Sequence, residues 1–496
     1  MKLKVKLLRW SAGLPVAMLN HKTAEKMGVQ LQDRIQIKTL SRHPKTLVTI
    51  IDLTDKLVKE DEVATSSEIK QRLKLRIGQK IDVSLASPPK SFDFIKKKMN
   101  GGKLSKSEIH AIIADVVNNS LTDSELALFV SGMYQHRMNL KETISLIEAI
   151  SGTGNRLKLR SKFVVDKHCI GGIPGNRTTP IVVSICAAAG LIIPKSSSRA
   201  ITSAAGTADV IESIARVDFN FKEVKKIIQK TGACLIWGGS LGMVPADSKI
   251  IKVEKDLKID PEAQLLASIL AKKLAFGSKY ILIDIPYGKH AKVSKIRGYI
   301  LKKKFEYLGK HFHKKLKCVL TNGDEPIGNG IGPILELKDI IQILDPKKQG
   351  PVDLEKKSLF LAGELLEMTG KAKEGNGIAL AKEIIDSGKA LKKFKDIIKA
   401  QEGDLNRLKN GDKPIFTKDI HAYKSGKIKL IENKKISSLA KVAGCPSDKF
   451  AGIYLYVHLR DKVDKGDKIL TLYAESKSRL NQAINFYEEQ KPILIR

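Results

Sequence analysis

The run Asp166-Lys167-His168-Cys169-Ile170-Gly171-Gly172-Ile173-Pro174-Gly175-Asn176-Arg177 sets a basic pair, a glycine-dense turn and a helix start side by side. Those residue types, in that order, suit the binding of an oxyanion. Glycines let the backbone approach and wrap the guest, and Lys167 adds a full positive charge. The helix that follows, Thr178 to Ala189, reads with a threonine cap, Pro180 in its first turn and Gly190 as its stop. Its unpaired amides point back at the loop with a partial positive charge. Phe163-Val164-Val165, just before, has the pattern of a short buried strand. Strand, loop and helix together predict a cradle whose best-fitting guest is phosphate.

The same physics recurs about 30 residues later, the usual scale of one strand-helix-strand unit. Leu191-Ile192-Ile193 ends at Pro194-Lys195 and runs through Ser196, Ser197, Ser198, Arg199, Ala200, Ile201, Thr202 and Ser203 to Gly206-Thr207. Hydroxyl donors and a second helix start, at Thr207, make this segment anion-ready as well. A single glycine-rich turn is most often only a turn. Two in tandem, each with a lysine and hydroxyls, favour a site.

A third set of polar residues lies on the helix predicted from Asp260-Pro261-Glu262 to Phe276. Ser268 and Lys272 are one turn apart and share a face, the spacing of a ligand clamp; a lysine late in a helix also simply complements its dipole. Asp260 before Pro261 has the form of an ordinary N-cap. Eight residues of straight helix separate Asp260 from Ser268 by about 12 Å. The two therefore address opposite ends of an extended ligand, or the cap region bends.

DKHCIGG followed by KSSSRAITSAAGTAD resembles the thymidine and pyrimidine-nucleoside phosphorylases, whose signature is an Asp-Lys-His-Ser-Thr-Gly-Gly loop and a later Lys-x-Ser-x-Arg…Gly-Thr-x-Asp segment. The Cys-Ile of the loop and the Ser-Ser-Arg-Ala-Ile-Thr-Ser of the second segment are similar to the archaeal-type branch that contains AMP phosphorylase. The resemblance continues through Gly232-Ala233-Cys234, Pro245-Ala246-Asp247 and Ile259-Asp260-Pro261-Glu262, and covers most of the chain. It implies phosphorolysis of an N-glycosidic bond by inorganic phosphate as co-substrate, with no other cofactor and no metal. Phosphate contacts are implied at Lys167, Gly171 and Ser197. Substrate contacts are implied at Gly172, Ser198, Arg199, Ala200, Ile201, Thr202, Ser203, Thr207, Ser268, Lys272 and Lys292, and Asp260 is implied as the proton donor. His168 either orients substrate or packs. Lys292 either holds a substrate 5′-phosphate or is a solvated lysine. Cys169 stands where the pyrimidine enzymes carry serine, and since phosphate supplies the attacking oxygen, a packing or weak-donor role fits it better than a nucleophile's.

One departure bears on the substrate. The pyrimidine enzymes carry an arginine about fifteen positions before the base-binding serine, by the resemblance, and an ungapped count here reaches Val253. That weakens a thymidine reading in favour of a nucleoside 5′-monophosphate such as AMP. Thymidine phosphorylase is the alternative, and a non-catalytic nucleic-acid-binding protein on this scaffold is a third.

The chain has 496 residues, 42% of them hydrophobic, enough for several packed domains. Its net charge is +35 with 5% aromatics. Lysines are spread from Lys2 to Lys491 rather than gathered on one aromatic-interleaved stripe, which argues against nucleic acid as a partner. The longest apolar run, 180–194, falls short of a membrane span, and no charged-then-apolar leader is seen. Five scattered cysteines show no pairing or metal spacing. A soluble cytoplasmic protein with reduced thiols is expected. The loop at Asn322–Gly332 has glycines like a dinucleotide fingerprint, but its spacing is wrong and Pro333 breaks it.

The elements that must position these residues read as a multidomain α/β protein. Residues 1–86 form a β-rich N-terminal domain, with strands at Lys2–Leu8, Arg34–Leu40 and Thr46–Leu53. A helical domain follows at 90–165, with capped helices at Ser105–Asn118, Asp123–Gln135 and Leu140–Ile150. The α/β catalytic domain occupies 166–345. A helical return segment, 346–410, suggests that the helical domain is discontinuous with the cleft beside it, and 412–496 is a C-terminal α+β domain with a turn at Val463–Leu470 like the family's β-hammerhead. The helical domain also resembles a dimerisation surface, so a homodimer or higher homo-oligomer is expected.

Overall fold

The computed structural model describes residues 1–7, 15–157, 159, 161–200, 203–239, 241–405 and 416–496. They fall into two compact units, Met1–Thr153 with Val244–Ser268, and Gly154–Met243 with Ile269–Arg496.

In the first unit the strands Lys2–Leu7, Val16–Asn20, Arg34–Thr39, Thr46–Thr54, Glu62–Thr65 and Lys80–Leu85 close into a barrel, neighbouring one another in the order first, fifth, second, fourth, third, sixth. Alternation sets which side chains fill it: in Arg-Ile-Gln-Ile-Lys-Thr, Ile35 and Ile37 are fully buried against Leu3, Leu19, Ile51 and Ile81. Burying one such isoleucine contributes about 2 kcal/mol.

The helices Lys106–Asn118, Asp123–His136 and Leu140–Gly152 each start at a reciprocal capping box, Ser105 with Glu108, Thr122 with Glu125 and Asn139 with Glu142. Two of these glutamates do a second job. Glu125 pairs closely with Arg34 of the barrel. Glu142 accepts from the Leu104 amide at 2.9 Å and from the buried Lys98 ammonium at 3.2 Å, and Lys98 also donates to the Arg137 carbonyl at 2.6 Å.

The second unit is built on parallel strands. Val165–Cys169 pairs with Tyr280–Tyr287, which pairs with Lys315–Asn322. Ile193–Ser197 pairs with Ala233–Trp237, and a bridge from Val164 to Ile192 joins the two sets. Helix Thr178–Ala188 packs in the main core through Ile181, Val182 and Ile185. Antiparallel strands complete the unit: Gly330–Ile331, Gly452–Leu455, Lys468–Ala474 and Phe416–His421 lie in that order, and Gly426–Ile431 pairs with both Lys462–Val463 and Ile493–Ile495.

Two expectations need correction. The helices Val352–Met368, Gly377–Asp386 and Lys389–Ala400 do not return to the helical domain: Leu361, Leu365, Phe394 and Ile397 share one core with Ile181 and Ile185 in the second unit. The segment that does return to the first unit is Val244–Ser268, through the helix Pro245–Leu257. Periodicity says which face of a helix is apolar, not which layer it covers. The strand before the glycine loop also runs on through Asp166, Lys167 and His168 to Cys169, where polar sequence suggested that it had ended.

Because Glu142 is the partner of a buried ammonium, Glu142→Gln is expected to cost about 3 kcal/mol. Calorimetry would show this as a clear fall in Tm, and an unchanged Tm would make the Lys98 pair dispensable.

Candidate active site

Side chains alternate along Val165–Cys169, so Lys167 and Cys169 point to one face of the sheet and Asp166 and His168 to the other. On the first face Cys169 lies opposite Asp284. Asp284 accepts from Thr321 Oγ1 at 2.6 Å and meets Lys357 Nζ at 3.1 Å. Lys167, itself buried, donates to Thr178 Oγ1 at 2.6 Å. On the other face Asp166 takes Lys273 at 2.7 Å and Lys195 at 3.8 Å. Each carboxylate thus has two lysines near it: Lys167, Lys195 and Lys273 are buried, and Lys357 is half-buried with its ammonium out of water. Such an excess of buried ammonium is costly unless an anion arrives.

The electrostatics follow from that crowding. Burial lowers the Lys167 ammonium below its usual range and brings Lys195 to about 7. Burial alone would raise Asp284, but Lys357 and Lys167 hold it below the ordinary carboxylate value. Burial, and then the surrounding lysines, push His168 well down, so its ring is neutral. Burial drives the Cys169 thiol up to about 11.

Cys169 organises the loop as an acceptor: the Gly171 amide and the Asn176 side chain both donate to its sulfur at 3.4 Å. Gly175 is left-handed at φ 67°, and a Cβ there would lie 2.2 Å from the Ile327 carbonyl oxygen. Gly172, at φ 94°, lies against Lys292: a Cβ would stand 3.1 Å from the Lys292 Cβ. The helix after the loop begins at Thr178 with Arg177 as its cap and no side-chain capping bond, so the expected threonine cap is corrected. The Thr178 hydroxyl is engaged by Lys167 instead. Arg177 clamps the loop to the second segment, making close contacts with Glu336 and the Ala205 carbonyl.

In that second segment Asp209 accepts from the amides of Ala200 and Gly206, each at 2.7 Å. Arg199 is engaged by Glu212 through two bonds of 2.6 Å and stacks over Trp237 at 4.9 Å. Arg199 and then Lys449 pull Glu212 down to about 2, against its partial burial. Ser198 is exposed. Ser203 donates to the Ala205 carbonyl at 2.7 Å. Thr207 opens the helix Thr207–Glu212, while Ile201 and Thr202 lie outside the described residues. Among the described residues Ser197 Oγ and His168 Nδ1 are buried without a hydrogen-bond partner.

Lys167, Gly171, Gly172, Ser197–Ala200, Ser203, Thr207, Lys272 and Lys292 therefore belong to the second unit, and Asp260 and Ser268 to the first. The helix carrying Ser268 and Lys272 runs from Glu262 to Ala275, so Asp260 precedes it by two residues; Asp260 is exposed, and Ser268 and Lys272 are half-buried. The sequence reading missed Lys273, Asp284, Lys357 and the Arg177 clamp. Their partners lie far away in the chain, and no local pattern announces them.

Comparison with known proteins places this geometry. Residues 161–391 match the glycosyl transferase family α/β domain, 92–154 its helical bundle domain, and 427–493 the pyrimidine nucleoside phosphorylase C-terminal domain. The AMP phosphorylase of Methanococcus aeolicus is 41% identical over 494 residues, 99% of this chain and 97% of that protein. The AMP phosphorylase of Pyrococcus furiosus is 42% identical over 498 residues, 100% of this chain and 98% of that protein. This chain belongs to the thymidine/pyrimidine-nucleoside phosphorylase family. Its branch is the one that contains AMP phosphorylase. The crystal structure of anthranilate phosphoribosyltransferase from Thermus thermophilus shares the fold, with a TM-score of 0.52 at 17% identity, over 63% of this chain and 100% of that one. No helix among the described residues is long and apolar enough to cross a membrane.

In this phosphorylase the thiol of the loop is an inert structural acceptor. At a pH of about 8 only ~0.1% of Cys169 would be thiolate. Iodoacetamide is expected to leave Cys169 of the native protein unlabelled over the time in which a free thiol reacts fully. Rapid labelling, read by peptide mass spectrometry, would contradict the acceptor role.

Proposed function

We propose that this chain catalyses the reversible phosphorolysis of AMP to adenine and ribose 1,5-bisphosphate. The observation that carries the reading is the surplus of buried ammonium around Asp166 and Asp284 beside the glycine loop, together with likeness to AMP phosphorylases along the whole chain.

Phosphate, held by Lys167, the loop amides, Ser197 and Thr207, attacks C1′ of the ribose as positive charge develops on the sugar ring. The new bond is C1′–O. The glycosidic C–N bond breaks and its electron pair leaves with the base, which takes a proton from Asp260. The segment from Ser198 to Ser203, with Gly172, holds the nucleotide; Ser268 and Lys272 grip the base and Lys292 the 5′-phosphate. The approach of Gly172 to Lys292 supports a common role for loop and lysine. No covalent enzyme intermediate is needed, since phosphate is the nucleophile and the only co-substrate. We also propose that the enzyme works in the cytoplasm as a homo-oligomer.

The buried Val253, where the resemblance would put the pyrimidine-reading arginine, weighs against thymidine as substrate. Base release should depend on phosphate and be fastest with AMP in a panel of AMP, CMP, UMP and thymidine. Turnover of thymidine with none of any monophosphate would overturn the proposal.

Two substitutions divide the roles. Lys167→Ala should raise the KM for phosphate by ~10- to 100-fold, the worth of a charge-assisted bond. Unchanged phosphate saturation would remove Lys167 from the cradle. Asp260→Asn should lower kcat by ~100-fold or more with little change in KM; an undiminished kcat would place the proton donor elsewhere.

A further inference from the structure

The glycine loop is backed by a second loop, and a histidine from the C-terminal domain holds that second loop in place. The Ile327 amide donates to the Pro174 carbonyl at 3.1 Å. Gly175 lies so close to the Ile327 and Gly330 carbonyls that a Cβ would stand 2.2 Å from the first oxygen and 3.1 Å from the second. Asp353 accepts from the Gly328 amide at 2.9 Å, and Asp339 from the Asn329 and Gly330 amides, each at 2.8 Å. His458 reaches the same stretch from the loop after the strand Gly452–Leu455. Its Nδ1 stands 3.2 Å from Glu325 Oε2 and its Nε2 3.2 Å from Asn329 Oδ1. One ring thus spans both ends of 325–329, with Ile327 between them.

Both atoms that face the ring are acceptors. The Asn329 amide nitrogen is turned to the Tyr454 hydroxyl at 3.3 Å, which leaves its oxygen for the histidine. The loop that carries the ring is itself fixed, because the Leu459 amide donates to Glu325 at 2.8 Å and the His458 amide to Asp461 at 2.7 Å. A neutral imidazole donates through one nitrogen and would turn a lone pair toward the other oxygen; the imidazolium donates through both. The charged groups around it favour the imidazolium. Glu325 comes from the backing loop, Asp353 from the start of Val352–Met368, Asp461 from the histidine's own loop, and Asp339, itself pushed up to about 6 by burial, from Pro333–Leu344. The bond to Glu325, against partial burial and with Asp353 and Asp461 adding to it, raises His458 above its ordinary value.

We propose that His458 is a positioning residue for phosphorolysis, a proton-dependent clip by which the C-terminal domain holds the support of the glycine loop. It acts through Glu325, Asn329 and the bond from Ile327 to Pro174, not by contact with substrate. With the proton on, both ends of 325–329 are tied and Ile327 is held against Pro174. When the proton is lost to solvent, the Asn329 end is released and the glycine loop loses part of its backing. The clip is complete below the ordinary histidine value of about 6.5, and is lost as the pH rises through the higher value of the folded protein. Only the catalytic consequence rests on the phosphorolysis reading.

The test compares wild type with His458→Gln, whose amide keeps one donor at every pH, between pH about 6 and about 9. Two readouts are taken as ratios at each pH, which cancels the intrinsic pH dependence of exchange and of phosphate ionisation: hydrogen exchange of the Ile327 amide, and KM for phosphate with AMP. At the acid end the Ile327 amide of the variant should exchange at least ~5-fold faster and its KM should be at least ~5-fold higher, with kcat within ~2-fold; both ratios should fall to near one at the alkaline end. Glu325→Gln, which removes the carboxylate but keeps an oxygen acceptor, should lose its Ile327 protection at a lower pH than wild type, and serves alone if the His458 variant does not fold. Ratios that are constant with pH would mean a purely structural histidine and overturn the proposal, as would unchanged Ile327 exchange, or altered exchange with an unaltered KM. The expected exchange pattern with no phosphate-dependent base release would instead overturn the proposed activity and leave His458 as a clip of the loop.

Discussion

Two buried carboxylates, Asp166 and Asp284, each stand beside two lysines whose ammonium groups lie out of water, and much of the second unit is arranged around that imbalance. The carboxylates make it possible to bring Lys167, Lys195, Lys273 and Lys357 out of water at all, since an unpaired ammonium in the interior is strongly disfavoured. They do not neutralise the group. The sheet places Asp166 and Asp284 on adjacent strands with their side chains on opposite faces, so that positive potential is available on both sides of one strand end. The glycine loop begins where that strand stops.

The same crowding separates the titratable groups by task. His168 is held neutral and Cys169 is held as a thiol, so neither competes with phosphate for the role of nucleophile. The sulfur accepts two hydrogen bonds and fixes the loop. Arg199, which the resemblance implies at the substrate, is engaged by Glu212, and Arg177 by Glu336. These arginines brace the backbone, and the lysines are left with charge to spare.

Local signals in the sequence were legible in proportion to how local the physics was. The capping boxes at Ser105, Thr122 and Asn139 each involve residues three apart, and the helices they start appear within two residues of their expected ends. Three of the six barrel strands, Lys2–Leu7, Arg34–Thr39 and Thr46–Thr54, were readable from alternation, while Val16–Asn20, Glu62–Thr65 and Lys80–Leu85 were not. The strand end at Asp166-Lys167-His168 was not, because the groups that face its charges, Lys273 beside Asp166 and Asp284 in the field of Lys167, lie more than a hundred residues away. The helices of 352–400 were visible as helices, yet the core they join was hidden for the same reason. Within the candidate site, the glycine loop and the serine-rich segment were legible as types; the lysines and carboxylates that charge them were assembled only by the fold.

The support beneath the glycine loop has a consequence for how the chain matures. The Ile327 amide donates to the Pro174 carbonyl at 3.1 Å, and a few residues on, Gly330–Ile331 forms an edge strand paired with Ile453 and Tyr454. Pairings this distant in sequence close late, because the intervening chain must first be ordered. During synthesis from the N-terminus, the barrel and the first three capped helices have all their own residues long before Gly452–Leu455 leaves the ribosome. The loop therefore acquires its final backing only when that strand is made, and a chain truncated before it would carry the glycine loop without the scaffold that sets its shape.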